Sequence, residues 1–472
     1  MAVTTVVGAS GHILAVTVDG AQAEALAKQY SSAVTAAKSR LTSYDLVPGS
    51  NNSISSPTGV AQGIITQGGS YNINGDVAYI AAGSYGPLDS PYGPKRGNVN
   101  PQDTLRGAAT INTSGDTAKS INILAGDWDG VTVNIANNQN GKFVGGVGDN
   151  VFNGKGLTGS WNIATGSGND TINGTNGNNT IAGGTGNNAI YLGQGRNIVL
   201  SEGQDTVTGV AGSRDTVTLL GGSSLVNIRE NATVFDAADH NQVTVGTNSF
   251  ITGGSSSNYS INGGTGTVFG GQSDTISAAG DMQQVRGDSN NLSVAGSLQF
   301  LNGTGNTAIT AGQATMFGAS GLHLTFDATN TDGQENLFVG NDGDEYISAA
   351  SSHGTLHAFA GTGDTTIIGG TASDTLVGGT GKSTLQGGSG DSNLFAITKG
   401  HAGSEYTIQD FGSAAGNLMA LYQYGLQNNG GLQNVLSHAT VAGGNSTIAL
   451  DDGSKITFVG VTQLSTKNFT LS

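Results

Sequence analysis

Residues 165–200 read TGSGNDTIN, GTNGNNTIA, GGTGNNAIY, LGQGRNIVL, four nine-residue frames in succession, with Ile172, Ile181, Ile190 and Val199 at the eighth position. A second run over 360–395, AGTGDTTII, GGTASDTLV, GGTGKSTLQ, GGSGDSNLF, sets Ile367, Leu376, Leu385 and Leu394 there, and the isolated frame GGVGDNVFN at 145–153 sets Phe152. Glycine at positions one, two and four allows a tight turn with positive φ. A three-residue strand then directs one apolar side chain inward. Two frames make one coil, so equivalent residues stack 18 apart.

Between the two runs the register loosens but short strands continue, among them DTVTLL, QVTVGT, DTISAA and LHLTFD. A parallel solenoid over about 105–399 would hold about 16 coils at ~4.8 Å each, or ~75 Å. All six prolines (Pro48, Pro57, Pro87, Pro91, Pro94, Pro101) precede that tract. Because proline cannot donate to a sheet ladder, a boundary is expected near residue 104. Leu26, Tyr30, Val34, Ala37 and Leu41 recur at helical spacing, with Asp19 as the expected N-cap. The expected fold class is therefore all-β, a parallel β-solenoid of β-roll or β-helix type with a short N-terminal helix and a β-rich C-terminal region. The expected divisions are 1–47 helical, 48–104 connecting, 105–399 solenoid and 400–472 C-terminal.

Glycine accounts for 79 of 472 residues and charged residues for only 11%, which points to a backbone-driven repeat. The net charge of −16, with basic residues scattered singly, argues against nucleic acid or an anionic membrane and favours cations. With no cysteine, disulfides, thiolate metal sites and cysteine nucleophiles are excluded. No basic residue precedes Lys28, no apolar run has signal-peptide length, and none approaches a membrane span.

The frames resemble the glycine-rich repeat GGxGxDxUx of the RTX family of secreted proteins. That resemblance implies export by a type I system with an uncleaved C-terminal signal, so residues 400–472, including YTIQDFG and the final LDDGSKITFVGVTQLSTKNFTLS, are expected to serve secretion and capping. It also implies calcium between stacked turns, bound by the sixth-position Asp and backbone carbonyls. Here that position holds Asp170, Asn179, Asn188 and Asn197, then Thr365, Asp374, Ser383 and Ser392, with Asn150 in the isolated frame. Asp170 would face Asn188 and Asp374 would face Ser392. Calcium at these two aspartates and an ion-free ladder of Asn and Ser hydrogen bonds are the two readings.

Asp103, Asp205, Asp215 and Asp274 open further Asp-Thr-apolar triplets, read first as Asx turns and second as ion ligands. The densest oxygen cluster is DATNTDGQENLFVGNDGDEY at 327–346, with Asp327, Asp332, Glu335, Asp342, Asp344 and Glu345. Asp342 and Asp344 are its calcium candidates, although the EF-hand spacing is absent.

GGTGKST at 378–384 lacks the first glycine of a phosphate-binding loop, and His353 and His357 lack the Glu of a helical zinc motif. Arg229, Asp236, Asp239 and His240, or Arg286 and Asp288, are pieces of a lyase-type site without visible convergence. The expected function is an exported, non-enzymatic structural protein that self-assembles into an extracellular layer, fibre or matrix on a bacterial surface. Its partners would be copies of itself and surface or matrix polysaccharide, with no nucleic acid and no membrane insertion. A secreted adhesin or a glycan- or ice-binding solenoid is the alternative, and a polysaccharide lyase or epimerase ranks last.

Overall fold

The frames stack as the 18-residue spacing requires. In the computed structural model, strand Thr171–Asn173 pairs in parallel with Ala189–Tyr191 and sets Ile172 against Ile190. Thr180–Gly184 pairs likewise with Arg196–Ser201 and sets Ile181 against Val199. All four side chains are fully enclosed. Phe143, Phe152 and Trp161 fill a preceding stretch of the interior, with Phe152 and Trp161 ring centroids 4.9 Å apart and the Trp161 indole donating to the Gln139 carbonyl at 2.9 Å.

The structure describes residues 2–7, 13–56, 59–85, 107–126, 129–329, 335–428 and 430–471. It divides into two units, Met1–Ile251 and Thr252–Ser472. Both are built as all-β parallel β-solenoid, about 18 turns in all.

The stack begins well before residue 105. Leu41–Asp45 pairs with Val60–Ile65, which pairs with Val77–Ala82, which pairs with Ser120–Ala125, all in parallel. Proline misleads as a boundary marker because Pro48 occupies a turn, where no ladder donor is needed. Pro57, Pro87, Pro91, Pro94, Pro101 and Asp103 lie outside the described residues. Nor does the stack end at 399: Thr380–Gln386, Glu405–Ile408 and Lys455–Phe458 form one parallel series, and Leu394–Thr398, Leu418–Tyr422 and Phe469–Leu471 another. The last frame slips by one residue, since Leu376 pairs with Phe395, which is enclosed, while Leu394 turns outward.

The expected helix, α1, spans Ala21–Ala37; Leu41 belongs to the strand that follows. Its N-cap is Gly20 without a side-chain cap, so Asp19 does not serve that role. Ala23, Leu26, Ala27, Tyr30 and Val34 bury against a hairpin, Ala2–Val7 with Ile13–Val18, and against the outward row Ile64, Ala81, Leu124, Val144 and Ala164. Those five residues occupy successive coils in register. The helix thus covers an apolar stripe on the outside of the first unit.

Gly184 shows how close the coils run. Its φ is +73°, and an added Cβ would collide with the Gly166 carbonyl of the neighbouring coil. Gly184→Ala should cost about 2 kcal/mol or more in urea unfolding, whereas Gln194→Ala, on an exposed turn, should stay within about 0.5 kcal/mol. Equal effects at the two positions would contradict this packing.

Candidate functional site

A turn breaks the strand ladder, so its backbone donors need other acceptors. In the first unit the sixth-position side chains supply them. The N–H of Val131 donates to Asn150 Oδ1 at 3.1 Å, that of Asn150 to Asp170 Oδ1 at 2.6 Å, and that of Asp170 to Asn188 Oδ1 at 2.9 Å. Asn188 donates in turn to Asp205 Oδ1 at 3.0 Å, Asp205 to Ser224 Oγ at 3.1 Å, and Ser224 to Asn241 Oδ1 at 2.7 Å. All six of these acceptor residues are buried. A second column runs from the Trp161 N–H through Asn179 and Asn197 to Asp215.

The second unit repeats the device. The N–H of Ser257 donates to Asp274 Oδ1, and that of Asp274 to Asn290 Oδ1. Farther along, Leu356 donates to Asp374 Oδ1 at 2.8 Å, Asp374 to Asn393 Oδ1 at 2.9 Å, and Asn393 to Asn417 Oδ1 at 2.8 Å. Asp374 therefore faces Asn393, 19 residues on, and not Ser392, because the one-residue slip lengthens that coil. Asp205, Asp215 and Asp274, expected first as Asx turns, act between coils. Asp116 does both, accepting from Ala118 N–H within its own turn and from Val77 N–H.

The donor set at these positions suits hydrogen bonds better than an ion. Asp170 Oδ1 accepts both the N–H and the side-chain amide of Asn150, and Asp205 Oδ1 accepts both from Asn188. Asp374 receives the Leu356 N–H on Oδ1 and the Gly370 N–H on Oδ2. N–H donors occupy Oδ1 of each of these aspartates, and among the described residues no sixth-position column stacks two carboxylates on adjacent rungs. Asp170 and Asp374 are thus rungs of the ladder.

Asp342 and Asp344 are exposed on the turn between Glu335–Val339 and Glu345–Ser348. Asp342 Oδ1 accepts from the Thr362 hydroxyl at 3.0 Å, and Asp344 Oδ1 from the Asp364 N–H at 2.9 Å. Glu345, the first residue of the strand that follows, is buried and accepts the Asn341 N–H. Its frame, GNDGDEYIS at 340–348, has glycine at positions one and four, an acid at six and Ile347 at eight, so the repeat pattern could have found it. Asp332 lies outside the described residues. Among the described residues no group of three or more His, Asp or Glu side chains converges to hold a metal ion.

The pieces of a lyase-type site are engaged elsewhere: Arg286 lies over the Phe269 ring at 5.9 Å, and Asp288 Oδ2 accepts from Gln272. Asp236 accepts from the Asn241 amide, while Asp239 and His240 form an exposed pair 3.3 Å apart. His357 Nε2 lies 3.9 Å from Glu335.

Burial acts strongly on the ladder acids. Desolvation pushes Asp170 and Glu345 up to about 7, and Asp116 and Asp374 up to about 6, with hydrogen bonds to the charged form offsetting part of the effect. Asp205 and Asp215 are raised for the same reason. Asp170 Oδ2, Asp205 Oδ2 and Glu345 Oε2 have no protein hydrogen-bond partner, which suits a protonated carboxyl.

A folded-state pKa above the unfolded value means that the folded chain binds the proton more tightly. The stability this provides is complete below about pH 4 and disappears as pH rises through about 7. Asp170→Asn should flatten that dependence and stabilise the protein at pH 8 by roughly 2–4 kcal/mol. The new amide would reach the Gly166 carbonyl as Asn197 reaches that of Gly193. Urea unfolding of both proteins at pH 5 and pH 8 checks this, and a variant less stable at pH 8 would contradict it. Since each sixth-position side chain of these columns already accepts an N–H from the neighbouring coil, the full β-sheet circular dichroism signal should also form in chelator. A random-coil spectrum there would show that an ion is required.

Comparison with known proteins agrees with the repeat geometry. Residues 165–199 and 359–394 match the family model of the RTX calcium-binding nonapeptide repeat, in four copies. No curated protein and no solved structure shows significant similarity to the chain. No described helix is long and apolar enough to cross a membrane. The matched repeat is a calcium-binding motif of secreted proteins. Over those two blocks, stacked in parallel and, except in the slipped last frame, with their sixth and eighth positions turned inward, the chain carries RTX-like repeats.

Proposed function

We propose that this is an exported, non-enzymatic structural protein that self-assembles into a layer, fibre or matrix on a bacterial surface. The observation that carries the reading is the regularity of the outer faces, where one side-chain type recurs coil after coil. In the first unit Asn72, Asn112, Asn134, Asn153 and Asn173 form an outward ladder, each amide donating to the one before at 2.7–3.0 Å. In the second, Thr366, Thr384, Thr407, Thr457 and Thr447 stand in register. Periodic faces of this kind suit repeated lateral contacts, and the scattered acids and bases offer no catalytic constellation among the described residues. Export would use the C-terminal region, as in type I-secreted RTX proteins. Calcium held by this chain would draw on turn carbonyls with single carboxylates such as Asp342 and Asp344.

A second reading has its own support. Thr110, Thr132 and Thr171, with Val151 between the last two, flank the Asn ladder two residues away on the same face, giving a largely Thr and Asn array of the sort that could bind a glycan or ice.

Electron microscopy and light scattering over a concentration series, with millimolar calcium and with chelator, decide between them. Ordered sheets or filaments are expected. A monodisperse protein at every concentration that is retained on a glycan array would overturn assembly in favour of the binding module.

A further inference from the structure

One series of stacked strands in the second unit carries an outward apolar row that no described helix or strand covers, with only the Arg286 guanidinium lying over its first member, Phe269. Phe269, Val285, Leu301, Phe317, Val339, Phe359 and Val377 occupy seven successive rungs in register. The three phenylalanines are 38%, 40% and 40% exposed. Two residues away on the same face runs Thr267, Gln283, Gln299, Thr315, Leu337, His357 and Thr375, with Gln283 donating to Gln299 at 3.1 Å. Neither row contains Lys, Arg, Asp or Glu.

We infer that this face is the contact between two copies of the chain, packed sheet on sheet about a two-fold axis through Phe317. Three observations choose a second copy as the occupant. The first is size matching: a two-fold through the fourth rung sets Phe269 opposite Val377, Val285 opposite Phe359, and Leu301 opposite Val339. Each off-centre phenylalanine therefore meets a valine, and only Phe317 meets itself, beside a recess of about 440 Å³ between Leu301, Phe317 and Val339. An isologous contact needs this self-complementarity.

The second is charge. Copies carrying −16 each repel over most of their surface, and these two rows, with Asp281 and Glu335 standing only at the edge of the face, are where they approach at least cost. The third is area. Seven rungs at ~4.8 Å and two side chains across give roughly 500 Å² per copy, so roughly 1,000 Å² per dimer, at the lower limit for a specific contact. The first unit shows the alternative, since its outward apolar row is already covered by α1. A row of phenylalanine, valine and leucine above an uncharged, glutamine-containing row is also the composition of dry sheet-to-sheet packing.

The inference rests on the assembly reading to the extent that both require copies to associate, and the test separates them. Sedimentation of the full chain should show a monomer–dimer equilibrium, and Phe317→Glu with Phe359→Glu should weaken it by about tenfold or more. An unchanged melting curve shows that the doubly substituted chain is folded, as expected for exposed sites. Because the chain has no cysteine, Phe317→Cys provides a second readout. On the axis it should be joined to its partner by a short bis-maleimide cross-linker, whereas Phe269→Cys, whose mate lies roughly 29 Å away across six rungs, should not. Wild-type association that persists in the Glu variant, or equal cross-linking at the two positions, would overturn the face while leaving assembly intact. A wild type that neither dimerises nor forms sheets would overturn both.

Discussion

The structure depends on a side chain accepting a hydrogen bond from the backbone of the coil beside it. Strands satisfy one another through their ladders, but each coil also has corners, and a buried corner N–H without an acceptor is costly. Short side chains with an oxygen near the backbone solve this at the sixth position. Asn150, Asp170, Asn188, Asp205, Ser224 and Asn241 each take an N–H from the preceding coil, so one column secures six successive turns. Everything outward of that column can vary, which is why the same architecture persists where the nine-residue pattern fades.

Mixing amide with carboxylate follows from the same geometry. A column of aspartates would place like charges about one coil apart in a buried setting, and cations would have to offset them. Asparagine keeps the acceptor, removes the charge and adds a donor that points at the next rung, as Asn188 does toward Asp205 and Asn197 toward Asp215. The carboxylates that remain are isolated from one another and bury their charge poorly, so Asp170 and Glu345 are pushed up toward neutrality. The chain therefore combines a calcium-binding repeat motif with columns whose interior is held largely by amides.

The sequence announced the coil through its inward apolar positions, because a three-residue strand has only one side chain to bury. It was less legible wherever a single residue shifts the frame. In GGSGDSNLF the inward residue is Phe395 and the rung is Asn393; Leu394 and Ser392 fit the nine-residue template equally well on paper, and only stacking on Leu376 and Asp374 separates them. Asp205, Asp215 and Asp274 were ambiguous for a related reason. An aspartate before Thr closes its own turn or the neighbour's with the same local sequence, and the choice depends on how near the next coil lies. Proline was the misleading signal, since a turn tolerates it and the strands on either side of Pro48 still stack.

An interior that needs only one apolar residue per strand leaves the outward positions free for other purposes, and what occupies them differs between the units. Polar rows such as the Asn72–Asn173 ladder satisfy themselves and need no cover. Apolar rows do not, because hydrocarbon in water is a standing cost wherever it is contiguous. In the first unit the chain meets that cost with its own helix, whose Leu26, Tyr30 and Val34 belong to the cluster formed with Ala81, Leu124 and Val144. In the second unit the row from Phe269 to Val377 has larger side chains and no helix over it among the described residues, and size alternation along it suits a reversed copy of itself. A fold whose stability is invested in columns and corners can thus change its surfaces rung by rung without disturbing the core, and the exposed row is where that freedom is used for association.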